Sequence, residues 1–226
     1  VIFRLFSRTR MILKSVISAF LLGVSVYGQS QLVVNGTMTP EQLVQNVLLG
    51  GGVTASNITF NGGLATAINA QVGSFTAPVG TNLELTAGIV LSSGNVQSDP
   101  GNFIVGADGT TADFASNLMG GGSDPDLELL SGQEINDKAA LEFDFIPTGD
   151  SLQFKYVFGS EEYPSYTCSD FNDAFGFFLS GPGIAGPYSG GAVNIALVPG
   201  TTVPVSINTL NSGVPSWPGD EPNCAA

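Results

Sequence analysis

The feature that most constrains this chain is a pair of alternating apolar runs around a polar loop. Leu152, Phe154, Tyr156 and Phe158 alternate with Gln153, Lys155 and Val157, and Phe175, Phe177 and Leu179 repeat the spacing. A period of two puts one set of side chains on one face of an extended chain, so both runs predict half-buried strands. Residues 159–173 lie between them and carry Glu161, Glu162, Asp170, Asn172 and Asp173, with Cys168 and a proline. A loop this polar between two apolar strands is the expected seat of a binding site or an ion.

The rest of the chain reads the same way. Thirty glycines and thirteen prolines cut it into short segments, and long helical patterns are absent. Candidate strands fall at 57–60, 82–86, 89–92, 140–146, 151–158, 174–179, 194–198 and 203–209. In Leu141-Glu142-Phe143-Asp144-Phe145 apolar residues alternate with acids, the pattern of a sheet with one face in the core and one in water. The predicted class is all-β, a β-sandwich or jelly roll, with one short N-terminal helix. That helix starts where Thr39 caps, Pro40 takes the first helical position and Gln42 completes a capping box. Leu43, Val44, Val47 and Leu48 form its apolar stripe, and Gly50-Gly51-Gly52 stops it. It is expected to pack on a sheet edge. Residues 97–126, rich in Asp, Gly, Asn and Ser, are expected to form a long surface loop, with a helical turn at 111–119.

Two segments are expected: 1–28, upstream residues plus a signal peptide, and 29–226, the β domain. Met11 is the expected start. Lys14 supplies a charged leader and 16–26 an apolar core, with cleavage before Gln29. That apolar run is shorter than the ~20 residues a membrane span needs. Six basic residues face nineteen acids, a net charge of −13. Arg4, Arg8, Arg10 and Lys14 lie in the leader, so the mature domain keeps Lys138 and Lys155 alone and carries about −17. Without a basic patch nucleic acid is excluded as a partner, and the same field disfavours anionic membranes. No histidine is present, which removes Ser-His-Asp and Cys-His catalysis and His-ligated zinc.

The acids of the 159–173 loop support two readings. Glu161, Glu162, Asp170, Asn172 and Asp173 are oxygen donors from one compact loop and suit calcium. Alternatively, Asp170, Asn172 and Asp173 cap turns and the glutamates are solvated. The spacing lacks the later ligands of an EF-hand. Adjacent glutamates point to opposite faces of an extended chain, so Glu161 and Glu162 do not make a glycosidase pair. Asp124-Pro125-Asp126 with Glu128, and Asp108-Gly109, form a second acidic group, read mainly as turn chemistry. The aromatics Phe154, Tyr156, Phe158, Phe175, Phe177 and Phe178 are expected in the core, and Tyr163, Tyr166 and Tyr188 are the better stacking candidates. Cys168 and Cys224 are loop cysteines in an exported chain: either they pair with each other, or Cys224 pairs beyond Ala226.

FGSEEYPSY (158–166) followed by FNDAFGFFLSGPG (171–183) resembles the choice-of-anchor L family. The likeness extends to TPEQLVQNVLLGGGV (39–53), GIVLSSGNV (88–96), SDPDLELLSG (123–132), AALEFDFIPTGDSLQFKYVFGS (139–160) and NIALVPGTTVPVSINTLNSG (194–213). The resemblance implies a bacterial surface module of the kind common in Bacteroidota, secreted or held at the cell surface by a separate C-terminal anchor. It implies no defined activity. Taken with the residues, the expectation is a non-catalytic binding or adhesion module for an extracellular glycan or protein ligand. The competing expectations are a secreted carbohydrate-active hydrolase and a structural spacer. The family pattern continues past Ala226, so the sandwich is expected to be incomplete at its C-terminal edge.

Overall fold

A computed structural model describes residues 32–50, 53–79, 81, 83–96, 122–160, 162–163 and 166–210. The expected leader, the helical turn at 111–119, Asp108-Gly109, Glu161 and Cys224 lie outside these residues. The described chain is all-β, with every ladder between its strands antiparallel and two short α-helices.

Two three-stranded sheets meet over one core. The first has the order β1 (Val33–Asn35), β4 (Val72–Thr76), β5 (Ala87–Leu91). The second has the order β3 (Gly63–Leu64), β2 (Val53–Phe60), β6 (Leu141–Pro147). Leu43, Phe60 and Val72 are buried together, with Val47, Ile89 and Leu141 packed on them. These residues come from the first helix with its last turn and from both sheets, which gives the layered arrangement expected of a sandwich. Jelly-roll connectivity is not established by these ladders.

The first helix, α1 (Pro40–Leu43), forms as its capping signals require. Thr39 Oγ1 accepts from the Gln42 amide at 3.2 Å, and the Thr39 amide donates to Gln42 Oε1 at 3.0 Å. The helix runs on as a wider π turn, Val44–Leu48. It does not sit at a sheet edge. Leu43 and Val44 are fully buried, and α1 contacts both β2 and β4, so it fills the space between the sheets. Burying a leucine stabilises by roughly 1.5–3 kcal/mol, more than an edge position would return.

Strand β6 bears out its alternation: Leu141, Phe143 and Phe145 are half-buried, while Glu142 and Asp144 are exposed. The acids are used across the ladder, Asp144 accepting from Asn57 at 2.6 Å and Glu142 from Thr59 at 3.3 Å. Strand β2 turns into β3 through Asn61-Gly62, both at positive φ, the primed turn that matches strand twist. Asn61 and Gln71 then knit the sheets. Asn61 Nδ2 donates to Gln71 Oε1, and Gln71 Nε2 reaches the Ser93 and Lys138 carbonyls, each at 3.1 Å. Gln71 is buried, and this network satisfies its amide, as a buried polar group demands.

The C-terminal part holds β7 (Ala174–Phe175) on β10 (Val205–Ser206), and β8 (Phe178–Leu179) on β9 (Val193–Asn194). The single strand expected at 174–179 is thus two, changing partner at Gly176. A Cβ there would lie 2.5 Å from the Phe178 ring, so only glycine lets Phe178 fold back over the break. The strands expected at 194–198 and 203–209 shorten to β9 and β10. No strand forms in 83–86, which closes the β4–β5 connection through the Ala77 amide and the Thr86 carbonyl at 2.8 Å.

Residues 151–158 form no ladder either, against the expectation of a half-buried strand. The alternation is nonetheless real. Phe154 packs at a tilt against Phe177 with ring centroids 4.5 Å apart, and Tyr156 against Phe175 at 5.0 Å. A step of two forward meets a step of two back, so this segment runs antiparallel beside β7 and β8, joined through its rings. Its aromatic face is partly in water, with Leu152 and Tyr156 exposed, and Val157 on the opposite face is exposed as well. Of the aromatics expected in the core, Phe154, Phe158, Phe175, Phe177 and Phe178 are half-buried and Tyr156 is exposed, so they form a partly covered layer outside the buried core.

The second helix, α2 (Pro125–Ser131), departs from the expected loop. Asp124 is its N-cap, accepting from the Asp126 and Leu127 amides at 3.1 Å. Pro125 occupies the first turn, and Gly132 ends it in the left-handed conformation at φ 71°. The surface loop expected at 97–126 thus gives way to a helix at its C-terminal end.

Candidate functional site: a pinned loop with an exposed aromatic tip

The two apolar runs bring the ends of the 159–173 loop together. At the neck, Ser160 Oγ donates to Asp173 Oδ2 at 2.6 Å and accepts from the Glu162 amide at 3.0 Å. The Ile207 amide donates to the Asp173 carbonyl at 3.0 Å. Packing of Phe154 and Tyr156 against Phe177 and Phe175 backs this closure on the apolar side.

Two asparagines fasten the rest. Asn208 Oδ1 accepts from the Cys168 amide and Asn208 Nδ2 donates to the Ser169 carbonyl, both at 2.8 Å. The Asn208 amide donates to Asn172 Oδ1 at 3.1 Å, and Asn172 Nδ2 donates to the Ser131 carbonyl at 2.9 Å. Asn172 therefore ties the loop to both the β10 end and the last turn of α2. Cys168 sits at φ 65° and is buried. An L-residue rarely holds that conformation unless neighbours fix it, and the Asn208 clamp does so. No free cysteine occurs among the described residues.

Tyr163 adds a further tie, its hydroxyl donating to the Leu210 carbonyl. Loss of water around the phenol, and then the charge of Asp173, raise its pKa above the usual value near 10. Tyr188 rests on Phe178 at 4.7 Å. Of the three tyrosines picked out in the sequence, only Tyr166 remains at the tip. It meets Phe171 edge-on, centroids 5.2 Å apart and planes at 71°. Tyr166 is 40% exposed and Phe171 58%. The sequence gives no signal for Phe171, because an isolated Phe in an acidic loop belongs to no periodic pattern.

The predicted ligand set is divided by this geometry. Glu162 is half-buried, and Asp170 and Asp173 are exposed. Asn172 has both ends of its amide engaged, and Asp173 has one oxygen engaged by Ser160. Among the described residues, no three acidic or cysteine side chains converge as a metal-holding group. In the second acidic group, Asp124 is a helix cap that also meets Lys138 at 3.8 Å. Asp126 accepts from the Ser189 amide and hydroxyl at 2.8 and 3.0 Å.

A family model for the Choice-of-anchor L domain matches residues 32–226. The chain belongs to this family. Comparison with curated proteins and with solved structures found no match. Membership of the Choice-of-anchor L family suggests an exported or surface protein. Among the described residues of the domain, no helix is long and apolar enough to cross a membrane. The pinned loop lies inside the matched region, as do the Asn208 clamp and α2.

Proposed function

We propose that this Choice-of-anchor L domain is an exported, non-catalytic binding module at the cell surface, and that the 159–173 loop is its contact element. One observation carries the reading: the loop is fastened at its neck and by Asn208 and Asn172, yet keeps Tyr166 and Phe171 in water. Fixing a loop in advance lowers the entropy cost of binding. Exposed aromatics on a fixed frame are what a contact surface needs and what a spacer does not. Lys14 with the apolar run at 16–26 supplies the export signal of the proposal, and export would let Cys168 form a disulfide with Cys224.

The test uses the secreted full chain. Peptide mapping without reduction is expected to find a terminus near Gln29 and a Cys168–Cys224 link. Binding of labelled protein to intact bacterial cells is expected to fall at least tenfold in a Tyr166→Ala/Phe171→Ala double variant that still unfolds cooperatively. Equal binding by the two proteins would remove the loop from the account.

A further inference from the structure

We infer that the ligand of this loop is a neutral hexopyranose unit of a polysaccharide, taken by Tyr166, Phe171 and Asp170; this deepens the binding-module reading and rests on it. A pyranose ring has an apolar face of axial C–H bonds and a rim of hydroxyls. Its recognition needs an aromatic surface for the first and fixed hydrogen-bond acceptors for the second. The loop offers the first at Tyr166 and Phe171 and an open acceptor at Asp170, which lies between them in sequence.

The aromatic surface is held ready. The Tyr166 amide donates to the Glu162 carbonyl at 2.8 Å, and the Phe171 amide donates to Ser169 Oγ at 3.1 Å. Ser169 is in turn fixed by Asn208. An edge-to-face pair also leaves a ring face uncovered by its partner. Asp170 lies between the two aromatics in sequence. It is exposed, and its carboxylate accepts no hydrogen bond among the described residues. An ionised carboxylate accepts through two oxygens and so takes a pair of neighbouring sugar hydroxyls.

Size and charge select the sugar over other partners. Tyr and Phe side chains bury roughly 150–250 Å² each when fully covered, so at their observed exposures the pair offers on the order of 200 Å². A stable protein partner needs about 800 Å² from each side. One or two sugar rings need far less. The mature domain's charge of about −17 repels uronic, sialic and sulfated glycans, which favours neutral sugars. A site this small binds weakly, with Kd on the order of 1 mM per ring, and gains strength by repetition along a polymer and over a surface.

Affinity electrophoresis of the secreted full chain tests this, with soluble β-glucan and α-mannan in the gel as neutral probes and alginate as the anionic one. Retardation by a neutral polysaccharide is expected, reduced at least tenfold in Tyr166→Ala and in Phe171→Ala. Asp170→Asn, which keeps the shape and loses the charge, should weaken it severalfold, and Tyr166→Phe should leave it unchanged. Asp170→Asn and Tyr166→Phe should leave Tm unaltered, while either alanine variant loses the edge-to-face contact and should lower Tm by only a few degrees. Retardation that survives both alanine variants, or that occurs with alginate alone, overturns the assignment, as does a failure of every polysaccharide. In that last case the cell-binding comparison separates the two claims. If the double variant still loses cell binding, the display reading stands with a different ligand; if it does not, both fall.

Discussion

Tyr163 shows how one side chain links the loop to the frame and to pH. Its phenol is held above the usual value near 10, first by burial and then by Asp173. The folded chain therefore holds this proton more tightly than the unfolded chain. Between the two pKa values the folded state binds more protons, so stability falls as pH rises. The contribution is complete below about pH 10 and is lost as pH climbs through the raised value. Tyr163→Phe deletes the hydrogen bond to Leu210. The expected cost is about 0.5–1.5 kcal/mol at pH 8, with a shallower loss of stability above pH 10 than in the wild type. Urea midpoints of both proteins from pH 8 to pH 11 measure it. Parallel pH curves would mean that Tyr163 titrates alike in the folded and unfolded chains.

At the scale of elements, α2 is the informative case. Its cap, Asp124, also forms the ion pair with Lys138, and two substitutions separate these roles. Asp124→Ala removes both and should cost about 0.5–2 kcal/mol, the usual value of a lost N-cap. Asp124→Asn keeps an acceptor for the Asp126 and Leu127 amides and loses only the pair, which is worth at most about 1 kcal/mol this close to water. Chemical denaturation should therefore rank alanine as the more damaging, and equal costs for the two variants would assign the stability to the ion pair. The helix is legible in principle: Asp-Pro at its start and glycine at its end are start and stop signals, but in a Gly-rich acidic stretch they read equally as a turn. The opposite holds at 151–158. Alternation reports which side chains share a face, and ring packing on β7 and β8 satisfies that without any backbone ladder. Strand β4 has no sequence signature although it is the centre of its sheet. Its Val72-Gly73-Ser74-Phe75-Thr76 has small residues where β1 and Val96 approach, a Cβ on Gly73 lying 3.0 Å from the Asn35 carbonyl oxygen, and close packing of that kind erases hydrophobic periodicity. The α1 capping box and the β6 alternation are legible because each depends on neighbours in sequence alone. The Asn208 clamp on the loop spans about forty residues, and no local pattern announces it.

At the scale of the whole molecule, charge sets the balance. Without residues 1–28 the domain keeps two basic residues against nineteen acids. Lys138 is already committed to Asp124. Self-repulsion of this size destabilises a compact state, and salt screens it. Sodium chloride should therefore raise Tm. A divalent cation should do more where acids lie close together, and the loop with Glu161, Glu162, Asp170, Asn172 and Asp173 is where we propose calcium acts. The geometry limits how. Asp173 Oδ2 is committed to Ser160 and the Asn172 amide to the frame, and no three acidic side chains converge among the described residues, so Asp173 would contribute through Oδ1 and water would fill most of the ion's coordination. Few protein ligands imply weak binding, in the ~0.1–1 mM range of extracellular modules. Binding to the folded state alone adds about 2.7 kcal/mol at a hundredfold excess over Kd. Millimolar calcium should thus raise Tm beyond sodium chloride of equal ionic strength, and a chelator should reverse the rise. Magnesium, which demands a tighter octahedral site, should be less effective. Asp173→Ala decides the location. Loss of the calcium increment places the ion at the loop, whereas an undiminished increment assigns it to the acidic surface at large and leaves Asp173 as the acceptor that closes the neck on Ser160.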